Sequence, residues 1–341
     1  MTNSKNMISD IALRSGLNAL GRSSSKIIVN QTLSIVIATL VMLSSTEAQT
    51  TLIPKWEVGK TLNYEIEDNS FTKMGGGDDD FFELSMKLKL DTKWKVEKVL
   101  ADGSVEFSVG IERVRFSAAG KGAAAAIPDL TFDSNVKSIP KQNPGKVVAL
   151  VLKEYVGPVG NVSIDRRGGL TGFSASKELT EIWKNSGELA GFFGGIFKHD
   201  GVRDLLTAWL VAFPDDPVPN GQTWNKEQVS RFGKGFASVR NYKLIGPVVK
   251  DGVSLLQIDV ASKIKEVALQ GPGEIPGIDI EQKITKKDGS GQVFLDNNTR
   301  HIRKVVLQQE LDVKDSYSDI KSKFEYSANL RQGKQVDTAK P

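Results

Sequence analysis

The chain has 341 residues, a quarter of them charged, a formal net charge of +4 and no cysteine. The missing cysteine excludes a lipobox lipoprotein and a disulfide scaffold, so the fold must be held by its core alone. Four bases (Lys5, Arg14, Arg22, Lys26) and two acids (Asp10, Glu47) fall in the first 48 residues. The remainder is left at about +2, too little to argue for nucleic acid or a membrane surface.

The N-terminus reads as a secretory leader. Arg14, Arg22 and Lys26 precede an apolar stretch, Ile27 to Leu43, and Thr46 and Ala48 place small residues before a cleavage point at Gln49. The competing reading is an uncleaved anchor. A spanning helix takes about 20 apolar residues, and this stretch is shorter and interrupted near its start. No second long apolar run follows Leu43, so no stable membrane span is expected after cleavage.

Beyond the leader, strand signals dominate. Thr61 to Glu67, Leu84 to Leu90 and Trp94 to Val99 alternate apolar and polar residues, the pattern of antiparallel strands with one packed face. Asp102-Gly103, Asp251-Gly252 and Asp288-Gly289 read as hairpin turns. The pattern occurs twice in the same order. Val58-Gly59-Lys60-Thr61-Leu62-Asn63 resembles Asn220-Gly221-Gln222-Thr223-Trp224-Asn225, and Val96 to Val109 resembles Leu244 to Val260. Gly160-Asn161-Val162-Ser163-Ile164-Asp165 resembles Gly291-Gln292-Val293-Phe294-Leu295-Asp296. The offsets shrink from 162 to 149 to 131 residues, so the first copy carries the insertions. These are a glycine-aspartate loop at Met74 to Asp80 and an excursion from Ala118 to Gly145, with a short helix at Val147 to Tyr155.

The middle of the chain is helical. One helix is predicted over Ser176 to Ala190. A second carries Val202, Leu205, Leu206, Trp209, Leu210 and Phe213 on one stripe, capped by Asp200 and ended by Pro214. Gly191 to Phe197 joins them, and residues 215–221 form a turn-rich hinge. The expected organisation is a leader (1–48), a first β-rich half (49–176), a central helical segment (177–213), a second β-rich half (214–330) and a disordered tail (331–341).

Little catalytic chemistry can be assembled. His199 and His301 lie apart without metal-ligand spacing, and each reads as a surface residue. Gly172-Phe173-Ser174-Ala175-Ser176 lacks the final glycine of a nucleophile elbow, so Ser174 or Ser176 reads as a helix cap. Gly233-Lys234-Gly235 lacks the rest of a phosphate loop. Asp78-Asp79-Asp80 on a glycine leash does not supply the six to eight oxygens of a calcium site. No cofactor or metal is expected. Trp183, Phe192, Phe193, Phe197, Trp209 and Phe213 read either as core or as the lining of an apolar cavity between sheet and helices.

The Trp56-Glu57-Val58-Gly59-Lys60 opening, the repeated Gly-x-Val-x-x-Asp strand and Gly221-Gln222-Thr223-Trp224 together resemble an uncharacterised bacterial secreted family of the domain-of-unknown-function type (DUF6263). That resemblance implies an exported protein and supplies no site residues. Gly291 to Asp296 and the central helices are similar, at fold level, to the clamshell of lipoprotein carriers, whose lipidated members carry a cysteine missing here. The expected fold is α+β: a strongly curved antiparallel sheet of two related halves, half-barrel or clamshell-like, with the helical segment packed on it. The expected function is non-enzymatic binding of an apolar small molecule or envelope component, in the periplasm or outside the cell. The alternatives are an interaction protein that captures a partner chain through residues 118–145, and a hydrolase with a carboxylate-only site.

Overall fold

The computed structural model describes residues 49–75, 81–126, 129–136, 145–185, 199–229, 236–266, 283–314 and 319–331. The leader, the aspartate run at 78–80, Gly191 to Phe197 (with Phe192, Phe193 and Phe197), Gly233 to Gly235 and the tail beyond Arg331 lie outside these.

The first half contains β1 (Thr61–Gly75), β2 (Phe81–Val99), β3 (Val105–Gly122), β4 (Leu130–Asp133), β5 (Gly157–Ile164) and β6 (Leu170–Ala175). Helices α1 (Gly145–Glu154), α2 (Lys177–Asn185) and α3 (His199–Thr207) follow in chain order around and after β5 and β6. The second half contains β7 (Thr223–Val229), β8 (Phe236–Lys250), β9 (Val253–Glu266), β10 (Lys283–Lys286), β11 (Asp288–Asp296), β12 (Ile302–Lys314) and β13 (Asp319–Leu330). All belong to one antiparallel sheet, curved and not closed, in the order β6-β5-β3-β2-β1-β13-β12-β11-β9-β8-β7, with β4 on β3 and β10 on β12. The expected α+β class and curved sheet are therefore present.

Alternation fixes the faces. In β1, Leu62, Tyr64, Ile66 and Asp68 are buried, and the intervening residues are partly open. The inner face continues through Leu90 and Trp94 of β2, Phe107 and Val114 of β3, and Ile258, Val293 and Val305 of the second half, all in one core cluster.

The two halves use the same devices at matching places. Gly59 and Gly221 both take left-handed φ (+84° and +85°). The Gly59 N–H donates to Val96 O (2.8 Å) where Gly221 donates to Leu244 O (2.6 Å), and Val96 and Leu244 donate back to Lys60 O and Gln222 O. A register shift follows Val96 in the β2–β3 pair and Leu244 in the β8–β9 pair. Another lies between Ser163 and Ile164 in β5–β6, and between Phe294 and Leu295 in β11–β12.

The Gly-x-Val-x-x-Asp pattern has a physical cause in both copies. A Cβ on Gly160 would overlap the Ser174 carbonyl, and one on Gly291 the Val306 carbonyl. Val162 and Val293 are core residues. Asp165 Oδ1 accepts from the N–H of Arg167 and Gly169, and Asp296 Oδ1 from those of Asn298 and Thr299, so each aspartate closes the hairpin that follows.

Several expectations need correction. Asp288-Gly289 is strand, paired with Lys263 and Ser262, and its glycine is required because Gln308 O occupies the place of a Cβ. The β8–β9 hairpin is longer than its counterpart by the pairs Val248–Leu255, Val249–Ser254 and Lys250–Val253, so the two Asp-Gly turns match in sequence but not in register. Ala118 to Gly122 completes β3, and β4 folds back onto it, held by Arg113–Asp133 and by Val114 N–H to Ser134 Oγ (3.0 Å). Ala118–Gly122 and Leu130–Asp133 of the supposed excursion are thus sheet. Arg331, the last described residue, pairs with Glu65 and Asp91.

Gly160→Ala and Gly291→Ala are each expected to cost about 1–3 kcal/mol through overpacking. Gly59→Ala, with open space around the site, should cost only about 1 kcal/mol of backbone strain. Urea denaturation of the three variants checks the ranking.

Candidate functional site

The end strands β6 and β7 do not pair with each other. Unpaired edges invite non-native association unless something covers them. Here the stretch from Ala208 to Phe213 lies between them. α2 is capped by Ser176, whose Oγ accepts the Leu179 N–H (3.1 Å), as expected. α3 ends at Thr207, and Ala208 to Phe213 continue without helix, all buried. The predicted stripe was therefore read with the wrong period beyond Thr207. Its members Trp209, Leu210 and Phe213 are buried because a non-helical strap is enclosed on every side, not because they share a helix face.

The strap is tied to both edges. Phe213 N–H donates to Arg167 O (2.8 Å) in the β5–β6 turn, and Val211 O sits where a Cβ of Gly168 would be. On the other side the Trp224 indole donates to Ala212 O (3.1 Å) and Arg240 Nη1 to Ala208 O (2.8 Å). From below, Trp209 packs on Tyr64 (ring centroids 4.4 Å) and Trp94 (5.2 Å), and Tyr326 donates to Leu205 O (3.1 Å).

Beside the strap the seam stays open as a cleft of about 380 Å³. Leu170 and Phe173 of β6 form one wall with Leu210 and Ala212, and Lys226 and Arg240 of β7 and β8 face them with Arg203 of α3. His199 stands at the entrance of α3, with ring contacts to Phe173 (5.3 Å) and Trp183 (5.4 Å). Of the six expected lining residues, Trp209 and Phe213 are core at 3% and 2% exposure. Trp183 is half-buried near the cleft, and Phe192, Phe193 and Phe197 lie outside the described residues.

The cleft carboxylates are engaged. Asp204 pairs with Arg203 (2.8 Å) and Glu227 with Lys265 (2.5 Å). Two carboxylates share an ion network elsewhere, on the outer face, where Arg115 and Arg331 both bridge Glu65 and Asp91. Burial would raise the Glu65 carboxyl, but Lys89 and Arg331 outweigh it and lower it to about 2. A general acid needs the opposite shift, so this pair is a structural network. His301, expected at the surface, is 3% exposed: it stacks on Trp56 (4.6 Å) and its Nε2 lies 2.6 Å from Lys55 O. Burial pushes its imidazole below the usual value. Among the described residues no group of three or more His, Asp or Glu side chains could hold a metal, and no helix is long and apolar enough to cross a membrane.

No family model and no curated protein sequence matches the chain. Among solved structures it is similar to lipovitellin, at 9% identity and a TM-score of 0.45, over 82% of this chain and 26% of that one. The chain thus spans about a quarter of lipovitellin. An outer membrane channel from Pseudomonas putida F1 (8% identity, TM-score 0.24) and an exported protein with a YmcC-like fold from Bacteroides fragilis (9%, 0.20) are each covered completely, by 84% of this chain. At such scores these likenesses carry no functional argument, and the secreted-family resemblance rests on its turn and packing residues alone.

Sequence reasoning missed Leu170, Phe173, Arg203, Lys226 and Arg240. Only strand register brings the last two together.

Trp209→Ala should lower stability by about 3–5 kcal/mol, read by chemical denaturation. Acid should also destabilise the fold. Glu65 is held below its ordinary 4.5, so its contribution is complete above about pH 4.5 and is lost as pH falls towards 2. The urea midpoint should drop between pH 5 and pH 2.5, and Glu65→Gln should drop less over the same interval.

Proposed function

We propose that this is an exported protein, released from residues 1–48, that works without catalysis by holding an apolar ligand or cell-envelope component in the cleft between β6 and β7. One observation carries the reading. The sheet brings its two edges to opposite sides of the central strap, and the strap fills the seam only in part. The remaining space, about 380 Å³, falls within the range of about 300–1,000 Å³ common for ligand sites.

The lining supports binding over chemistry. It offers Leu170, Phe173, Leu210 and Ala212 as an apolar wall, and its two carboxylates are each held by a base. In this reading each half, 49–176 and 214–330, contributes one wall, and the segment 177–213 sets the width between them. Trp183 guards the entrance through His199, and Phe192, Phe193 and Phe197 are further lining candidates by sequence. Trp209 and Phe213 act by anchoring the strap.

The test is native mass spectrometry of the full chain, expressed in a bacterium and purified from its periplasm, beside an organic extract of the same sample. The expected result is a reproducible added mass matched by an amphipathic molecule in the extract. Gly169→Val should abolish it, because a side chain there enters the space now occupied by the end of Lys226. A clean unliganded mass for the native protein sinks the proposal.

A further inference from the structure

The inner face of the second half carries a pairing that stability alone disfavours. Trp224 and Tyr242 are opposite one another on β7 and β8 and stack at 5.5 Å. Two residues further along each strand, on the same face, Lys226 is opposite Arg240. Like charges directly opposite in an antiparallel pair repel. The position beyond Arg240 on β9 holds no carboxylate but Ser262, whose hydroxyl donates to Gln309 (2.7 Å).

Among the described residues no ion pair joins an acid to either cation. Asp204 is paired with Arg203, and Glu227 with Lys265. Asp165 stands near Lys226 across Gly169, but its Oδ1 accepts two backbone N–H groups and its Oδ2 is paired with Arg167 (3.6 Å). Among the described residues neither Lys226 nor Arg240 has an ion pair; Arg240 donates to Ala208 O and lies against the Tyr242 hydroxyl. Both side chains are half-buried, so solvent relieves the repulsion only in part.

We infer that Lys226 and Arg240 form the binding site for the oxyanion head of an amphipathic ligand, a phosphate or carboxylate, whose tail lies along Leu170, Phe173 and Leu210. This rests on the binding function proposed above. The oxyanion supplies the missing counter-charge. Arg240, held in place by the strap, presents its remaining N–H donors, and Lys226 adds a second charge-assisted contact.

Isothermal titration with three probes, dodecyl phosphate, dodecanol and inorganic phosphate, tests the assignment and separates a lipid head group from a free ion. The native protein should bind dodecyl phosphate at least tenfold tighter than dodecanol. Lys226→Gln should erase that preference while leaving dodecanol affinity unchanged and the melting temperature equal or higher, since a repulsion is removed. Lys226→Arg should retain the preference. Equal affinity for dodecyl phosphate and dodecanol, unaltered in Lys226→Gln, overturns the head-group assignment and leaves the apolar cleft standing. Inorganic phosphate binding as tightly as dodecyl phosphate, with no affinity for dodecanol, keeps the oxyanion contacts but overturns the amphipathic ligand and the apolar cleft with it. Binding of none of the three overturns both.

Discussion

An antiparallel sheet that does not close has two edges, and much of this molecule follows from how those edges are managed. Two meanders meet at the β1–β13 pair in the middle of the sheet, which sends the outermost strands, β6 and β7, to its ends. Left bare, each would present a row of unpaired backbone groups. The strap from Ala208 to Phe213 meets both margins, and its buried Trp209, seated on Tyr64 and Trp94, fixes it to the core. Its ties to Arg167, Trp224 and Arg240 set the separation of the walls. The cleft is thus a by-product of incomplete coverage.

The resemblance between the halves lies in backbone mechanics. The paired glycines at 59 and 221, the register shifts after Val96 and Leu244, and the aspartates at 165 and 296 impose the same bends in the same order. Side chains have diverged within that frame. Leu62 opposite Trp94 in the first half corresponds to Trp224 opposite Tyr242 in the second. The β1–β2 arm and the β4–α1 segment lengthen the first half, whereas the second places its cations beside the seam.

Strand existence and facing were legible because period-two alternation survives at Thr61 to Glu67, Leu84 to Leu90 and Trp94 to Val99. The duplicated Gly-x-Val-x-x-Asp strand was legible because steric exclusion and turn closure constrain residue identity. The strap was misread because a segment enclosed on all sides is apolar at every spacing, and a helical period can always be found in it. His301 was misplaced because its burial comes from Trp56, 245 positions away in sequence. The Lys226–Arg240 pair was invisible for a related reason: the residues belong to different strands, and only register shows that they face each other.

The β1–β13 pair also constrains the time at which the molecule can exist. Tyr64 pairs with Leu330 and Met74 with Ile320, so the middle of the sheet is made from the two ends of the folded region. The N-terminal flank is committed just as remotely, with Thr50 bridged to Val218 and Lys55 bonded to Thr299. Contacts of such sequence separation form late, because a long loop must close before they are rewarded. A nascent chain therefore has no complete sheet until its last strand has been made. Under the export proposed above, a polypeptide that threads through a translocation channel before it folds is served by that delay.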